Sequence, residues 1–153
     1  MTATERLRVE HERFGAIEVG GHEVLLFEGI PGFPEAERFA LLRHDRDSAF
    51  LWLVSLDVLD LAFAVADPRH FFPDYQPTLS PEQLASVDAS RPEELELFAI
   101  ATVREESVTL NLTAPVLVNS RAARGTQVVL TDETYSTRTP LPTPDQIESK
   151  PQT

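Results

Sequence analysis

The sequence predicts a small, mainly β domain, an antiparallel β-barrel-like fold with one short helix. Three observations carry that expectation. From about residue 14 to residue 130, apolar runs of strand length alternate with turn signals. No long run repeats with the 3.6-residue period of an amphipathic helix. One helix start is well formed: Ser80 stands at the N-cap, Pro81 at the first helical position, and Gln83 three residues on, as in a capping box. A closed or nearly closed barrel and a two-sheet sandwich share this signature, and both stay open at this point.

Taken in order, residues 14–19 and 22–27 read as a hairpin on the turn Gly20-Gly21, since glycine reaches the positive φ such turns demand. Pro31-Gly32 fits a type II turn within a tight loop, 29–34. Strands follow at 39–43, 49–56 and 61–66. The run 49–56 is apolar on both faces, which predicts a central strand covered on both sides. Asp67-Pro68 ends the next run, and the helix is expected over 81–87. Beyond Arg91-Pro92, residues 95–103 read as a long strand. Residues 107–113 alternate cleanly, with Val108, Leu110 and Leu112 toward the core and Thr109, Asn111 and Thr113 outward. Val116-Leu117-Val118 resumes after Pro115, residues 119–125 form a polar connection, and 126–131 is the last strand. Pro140, Pro142, Pro144 and Pro151 then punctuate a polar stretch with too little apolar surface to offset its ordering. The expected organisation is one β domain over 9–138 and a flexible, proline-rich tail over 139–153.

The chain has 153 residues, enough for one domain with a continuous core. It has no cysteine, which excludes disulfides, thiolate metal sites and a cysteine nucleophile. No secretory signal or bilayer-spanning run is visible, and the expected location is the cytoplasm. With 25 acidic residues against 13 basic ones, the formal charge is −12. That balance argues against direct contact with nucleic acid or anionic membrane, because both need a basic footprint. It favours basic protein surfaces, or serves solubility alone.

Chemistry is sparse. There is no phosphate-binding glycine loop and no nucleophile elbow. His44, Asp45 and Asp47 are possible ligands but sit in a stretch of turn composition. Asp67, His70 and Asp74 are the best catalytic candidates, since a histidine between carboxylates can act as a general base. The alternative is that Asp67 caps a turn and His70 lies on the surface. Glu93-Glu94 and Glu105-Glu106 flank strands as solubilising charge. The most unusual segment is Phe71-Phe72-Pro73-Asp74-Tyr75, where three aromatics crowd a charged, proline-bearing loop. Such aromatics make good binding anchors, and they also serve to pin a loop onto its domain.

The motifs Gly29-Ile30-Pro31-Gly32-Phe33, Phe50-Leu51-Trp52-Leu53, Leu61-Ala62-Phe63 and Asp67-Pro68 stand in a fixed order. Phe72-Pro73-Asp74-Tyr75, Thr109-Leu110-Asn111-Leu112, Ala114-Pro115, Asn119, Gly125-x-Gln127, Tyr135 and Arg138 continue it. In number, order and spacing the chain resembles the FliW family of flagellar assembly factors. It departs at Val54, where the family commonly carries glutamine, and the proline-rich tail is outside the pattern. The resemblance implies a small antiparallel barrel-like fold and no enzymatic activity or cofactor. It also implies two alternative protein partners: flagellin, and CsrA, a small basic translational repressor whose hold on flagellin synthesis is relieved by binding. A flagellin chaperone without a regulatory role is the alternative within the same resemblance. Partner contacts are expected at Phe71, Phe72, Pro73, Asp74 and Tyr75, and at Glu93, Glu94, Glu105 and Glu106.

Overall fold

A computed structural model describes residues 6–27, 30, 32–43, 49–104, 107–131 and 134–141. The strands, in chain order, are β1 (Arg6–His11), β2 (Gly15–Gly20), β3 (Leu25–Phe27), β4 (Arg38–Leu42), β5 (Phe50–Ser55) and β6 (Ala62–Ala66). After two short helices, α1 (Pro68–Phe71) and α2 (Pro81–Ala85), come β7 (Glu96–Arg104), β8 (Ser107–Leu110), β9 (Val116–Asn119), β10 (Arg124–Gln127) and β11 (Thr139–Pro140). No helix among the described residues is long and apolar enough to cross a membrane.

Seven strands close into a barrel. The order is β7-β6-β5-β4-β3-β10-β9, and β9 returns to pair with β7. Closure separates the barrel from the sandwich and leaves no free edge around the ring. Every pairing in the ring is antiparallel except β3 with β10, which is parallel. The interior is filled by Phe27, Phe39, Leu51, Leu53, Val65, Phe98, Val116 and Val118, all buried. Each such side chain contributes roughly 1.5–3 kcal/mol by leaving water.

The outer face of the barrel is covered as well, which is why its strands read as apolar on both sides. The β1–β2 hairpin lies over β4 and β5, packing Val9, Ile17 and Val19 on Ala40, Val54 and Leu56. Val54 is fully buried there, so a valine at the position where the family commonly has glutamine sits under an apolar lid. His11 locks the hairpin down. Its Nδ1 accepts from the Arg13 backbone N–H (3.1 Å), so Nε2 carries the proton and donates to the Leu61 carbonyl (3.0 Å). Helix α2 and the residues after it cover β7 and β9 through Leu84, Val87, Leu97 and Leu117. Its capping box forms as expected, with Ser80 Oγ accepting from Gln83 N–H and Gln83 Oε1 from Ser80 N–H. The buried Asn119 amide donates to the Val87 carbonyl (2.7 Å) and holds the end of this segment to β9.

A single interruption organises the remainder. On β7, Ala101 faces Leu110 while Phe98 faces Val116. Residues 98–101 of β7 are therefore matched by residues 110–116 on its partner, and residues 111–115 leave the regular ladder, with the Asn111 N–H keeping one bond to the Ile100 carbonyl (3.0 Å). Asn111 Oδ1 accepts the N–H groups of Thr113 and Ala114, both at 3.1 Å. Gln127 Nε2 donates to the Ala114 carbonyl (3.0 Å). The N–H groups of Val128 and Leu130 bond to the Pro115 and Thr113 carbonyls. The break lets the lower half, β9, close the barrel while the upper half, β8, leaves it with the end of β7 and picks up β11.

Several expectations need correction. The first hairpin is β1–β2, closed by residues 12–14 with Gly15 at φ +71°, not a hairpin on Gly20-Gly21. Glu23 folds back to accept the Gly20 N–H (2.6 Å), so Gly20-Gly21 enters a 3-10 turn that hands the chain from the hairpin to the barrel. The β structure also reaches past residue 138. Thr139–Pro140 pairs with β8 and Leu141 packs on the same buried cluster as Phe71 and Phe72, so the first residues assigned to the tail belong to the domain. The last barrel strand is β10, earlier than the run 126–131, and α1 is a second helix. Of the tight loop, Gly32 at φ +92° and the Phe33 N–H to Ile30 carbonyl bond (2.8 Å) have the form of a type II turn; Pro31 lies outside the described residues. So do His44, Asp45 and Asp47, and the stretch from residue 142 on.

Two positions yield tests of this architecture. An ideal Cβ on Gly125 would collide with the Phe27 ring, which is itself buried against Phe39. Gly125→Ala is expected to cost about 1–3 kcal/mol by overpacking, read as a lower urea midpoint at unchanged slope. Burial pushes the Asp57 carboxyl up, but hydrogen bonds from the Arg38 backbone and side chain and the Glu37 backbone, with the Arg38 charge, outweigh it and hold it below the usual range. A lowered folded pKa stabilises above the unfolded value and is lost as pH falls through the folded one. Asp57→Asn should therefore destabilise the protein at pH 7, with the gap to wild type closing at acid pH, measured by thermal melts across pH.

Candidate functional site

The aromatic loop begins where β6 stops. Asp67 Oδ1 accepts the Arg69 N–H (2.9 Å) as an N-cap, Pro68 occupies the first helical position, and α1 makes one turn. That turn aims Phe71 and Phe72 at the sheet, where both are half-buried over Ala66, Ala99 and Leu110. The Phe71 ring lies 5.7 Å from Phe50 and 4.9 Å from His70. Pro73 and Asp74 stay exposed at the bend.

Tyr75 goes the other way. It is 3% exposed, so it is an anchor and not the surface contact expected from sequence. Its hydroxyl donates to the Leu112 carbonyl (2.8 Å), inside the 111–115 bulge, and its ring meets Tyr135 edge-on at 4.8 Å. Burial drives the phenol far above its ordinary pKa, the neighbouring Tyr135 adds to this, and the Arg69 charge opposes it. Arg69 Nε donates to the Tyr75 carbonyl (3.2 Å), and the Tyr135 hydroxyl accepts the Gln76 N–H (3.3 Å). The loop is thus tied at its base on both sides.

Glu93 and Glu94 lie on a 3-10 turn, Pro92–Glu94, and both are exposed. Glu94 accepts the Ser90 N–H and stands 3.7 Å from Arg91. Glu93 shares an open hollow of about 910 Å³ with Pro73, Asp74, Pro77, Thr78 and Leu95. The structure therefore brings Pro73, Asp74 and Glu93 together, and places Glu94 outside that hollow. Glu105 and Glu106 lie outside the described residues.

The catalytic candidates do not assemble. Asp67 is used as a cap, His70 is exposed with its ring against Phe71, and among the described residues no hydrogen bond joins that ring to Asp67 or Asp74. No group of three or more possible metal ligands occurs among them either.

The family model described as FliW protein matches residues 8–141. The chain belongs to the FliW family. The flagellar assembly factor FliW 2 of Desulfotalea psychrophila is 34% identical over 140 residues, covering 90% of this chain and 93% of that protein. The flagellar assembly factor FliW of Desulfitobacterium hafniense (strain DSM 10664 / DCB-2) is 35% identical over 149 residues, covering 95% and 98%. A crystal structure of the flagellar assembly factor FliW superposes with a TM-score of 0.79 at 31% identity, over 91% of this chain and 98% of that one.

Much of the motif that signals FliW from sequence serves the fold. Asn111, Ala114, Pro115 and Gln127 build the bulge, Asn119 clamps the segment after α2, Gly125 makes room for Phe27, and Tyr75 and Tyr135 tie the loop to the bulge. The sequence signal that could have revealed Tyr75 as an anchor is its position after Pro73-Asp74, where the chain turns back toward the sheet. Tyr75→Phe leaves the Leu112 carbonyl buried without its partner and is expected to cost about 1–3 kcal/mol. Urea denaturation measures the loss, and faster amide exchange over residues 67–75 would place it at the loop.

Proposed function

We propose that this chain is a flagellar assembly factor that works in the cytoplasm by binding flagellin and, alternatively, CsrA, relieving repression of flagellin translation. The observation that carries this reading is the family match across residues 8–141, together with near full-length similarity to proteins named flagellar assembly factors. The mechanism is mass action: two polypeptides compete for a limited pool of one acidic protein, and export of one frees the pool for the other. No bond is made or broken and no cofactor is needed.

Two features support it. The net charge of −12 attracts a basic partner and accelerates encounter. Phe71, Phe72, Pro73 and Asp74 form a loop with a rigid base, so little ordering cost accompanies binding.

Mixing the purified chain with CsrA should give a complex that dissociates as flagellin is added. Absence of binding to either protein at micromolar concentrations would refute the proposal. Charge reversal at Glu93, Glu94, Glu105 and Glu106 together should slow association with CsrA at low salt while the melting temperature holds, read by stopped-flow fluorescence.

A further inference from the structure

We infer that the hollow between the loop at residues 73–78 and the turn Pro92–Glu94 is a docking slot for an extended, lysine- or arginine-bearing segment of a partner polypeptide. This rests on the reading that the chain acts by binding proteins, and it names the chemistry of one contact.

Charge is the first argument. Asp74 and Glu93 line the hollow and are exposed, and neither has an ion-pair or hydrogen-bond partner for its carboxylate among the described residues. Other carboxylates are engaged: Asp57 with Arg38, Asp88 with Arg124, Glu94 with Arg91, Glu10 with Arg8. The cation in the hollow, Arg69, has its Nε committed to the Tyr75 carbonyl. Two unpaired anions lining one hollow fit a cationic side chain laid within it.

The backbone is the second argument. Among the described residues, the Thr78 N–H and the carbonyls of Gln76 and Thr78 make no hydrogen bond, and both residues are exposed. An extended chain laid alongside can satisfy such groups, whereas a helix has already used its own. The walls supply the third: Pro73, Pro77, Pro92 and Leu95 are stiff or apolar and lose little entropy on contact. Tyr75 at one end and the Ser80 cap at the other fix the loop before any ligand arrives.

The test is a titration of the isotope-labelled full chain, at about 0.15 M salt, with the blocked peptide Val-Lys-Val-Lys-Val-Lys, followed by amide chemical shifts. Shifts should cluster at Asp74, Gln76, Thr78, Glu93 and Leu95, and the same peptide with glutamate for lysine should give none. Asp74→Asn combined with Glu93→Gln should weaken the lysine peptide about tenfold or more, equivalent to about 1.4 kcal/mol, with the rest of the spectrum unchanged. Glu10→Gln combined with Glu18→Gln removes the same charge from the β1–β2 hairpin and should leave affinity within about twofold, a change well below 1.4 kcal/mol. Equal losses in the two double variants, shifts scattered over the surface, or no shifts would overturn the slot. A wild-type chain that binds neither CsrA nor flagellin yet seats the peptide here would remove the functional proposal and retain the slot.

Discussion

The constraint on which this molecule depends is the obligation to satisfy backbone polar groups where one long strand is interrupted. Without residues 111–115, β8 and β9 would be a single strand along β7, and the sheet would run on without dividing into a barrel and an arm. The interruption is affordable because the N–H groups of residues 111–114 and the carbonyls of residues 112–115 find partners, and burying such a group unpaired costs about 1–3 kcal/mol. The Asn111 side chain, Gln127 with the N–H groups of Val128 and Leu130, the Ile100 and Ser136 carbonyls and Tyr75 supply those partners from distant parts of the chain. Several scattered motif residues are thus one structural device. The loop that carries Phe71 to Asp74 takes its position from the same device, through Tyr75.

How much of this could be read from sequence depends on whether a signal was local. The double-sided apolar run at residues 49–56 announced β5 correctly, because burial on both faces leaves no alternation to interpret. The capping box announced α2, since its donors and acceptors are three residues apart. The alternation at residues 107–112 placed Leu110 and Leu112 inside. The failures were choices between competing local signals. Gly20-Gly21 has a stronger turn composition than residues 12–14, yet the alternation of Leu7, Val9 and His11 with Arg6, Arg8 and Glu10 marks β1 as the partner of β2. The three-residue shift in register along β7 has no local signature, because it is fixed by which strands meet. Tyr75 shares its aromatic character with its neighbours, and the hydrogen bond that makes it an anchor reaches a residue 37 positions away.

Burial, and not surface charge, holds the molecule together. The clusters inside the barrel and beneath its covers hold it together by burial. The surface ion pairs, such as Arg8 with Glu10, contribute at most about 1 kcal/mol each. The acidic exterior is therefore largely free of structural duty, and its arrangement can follow the needs of encounter and specificity. Asp57 is an exception, since its carboxylate organises the start of β4. Candidate contact residues are better sought among carboxylates without intramolecular partners than among acidic residues in general.

The β1–β2 hairpin belongs to a sheet of its own and meets the barrel mainly through side chains. This separation sets an order of events during synthesis. Residues 6–20 are made before their platform and their pairing is local, while the surface that receives them spans Ala40 to Ala62. For the time needed to make some forty further residues, Val9, Ile17 and Val19 have no platform to rest on. A nascent chain in that interval presents a small apolar ribbon to chaperones and to other copies of itself. The exposed Arg8, Glu10 and Glu18 on the opposite side keep one face of that ribbon in water while it waits.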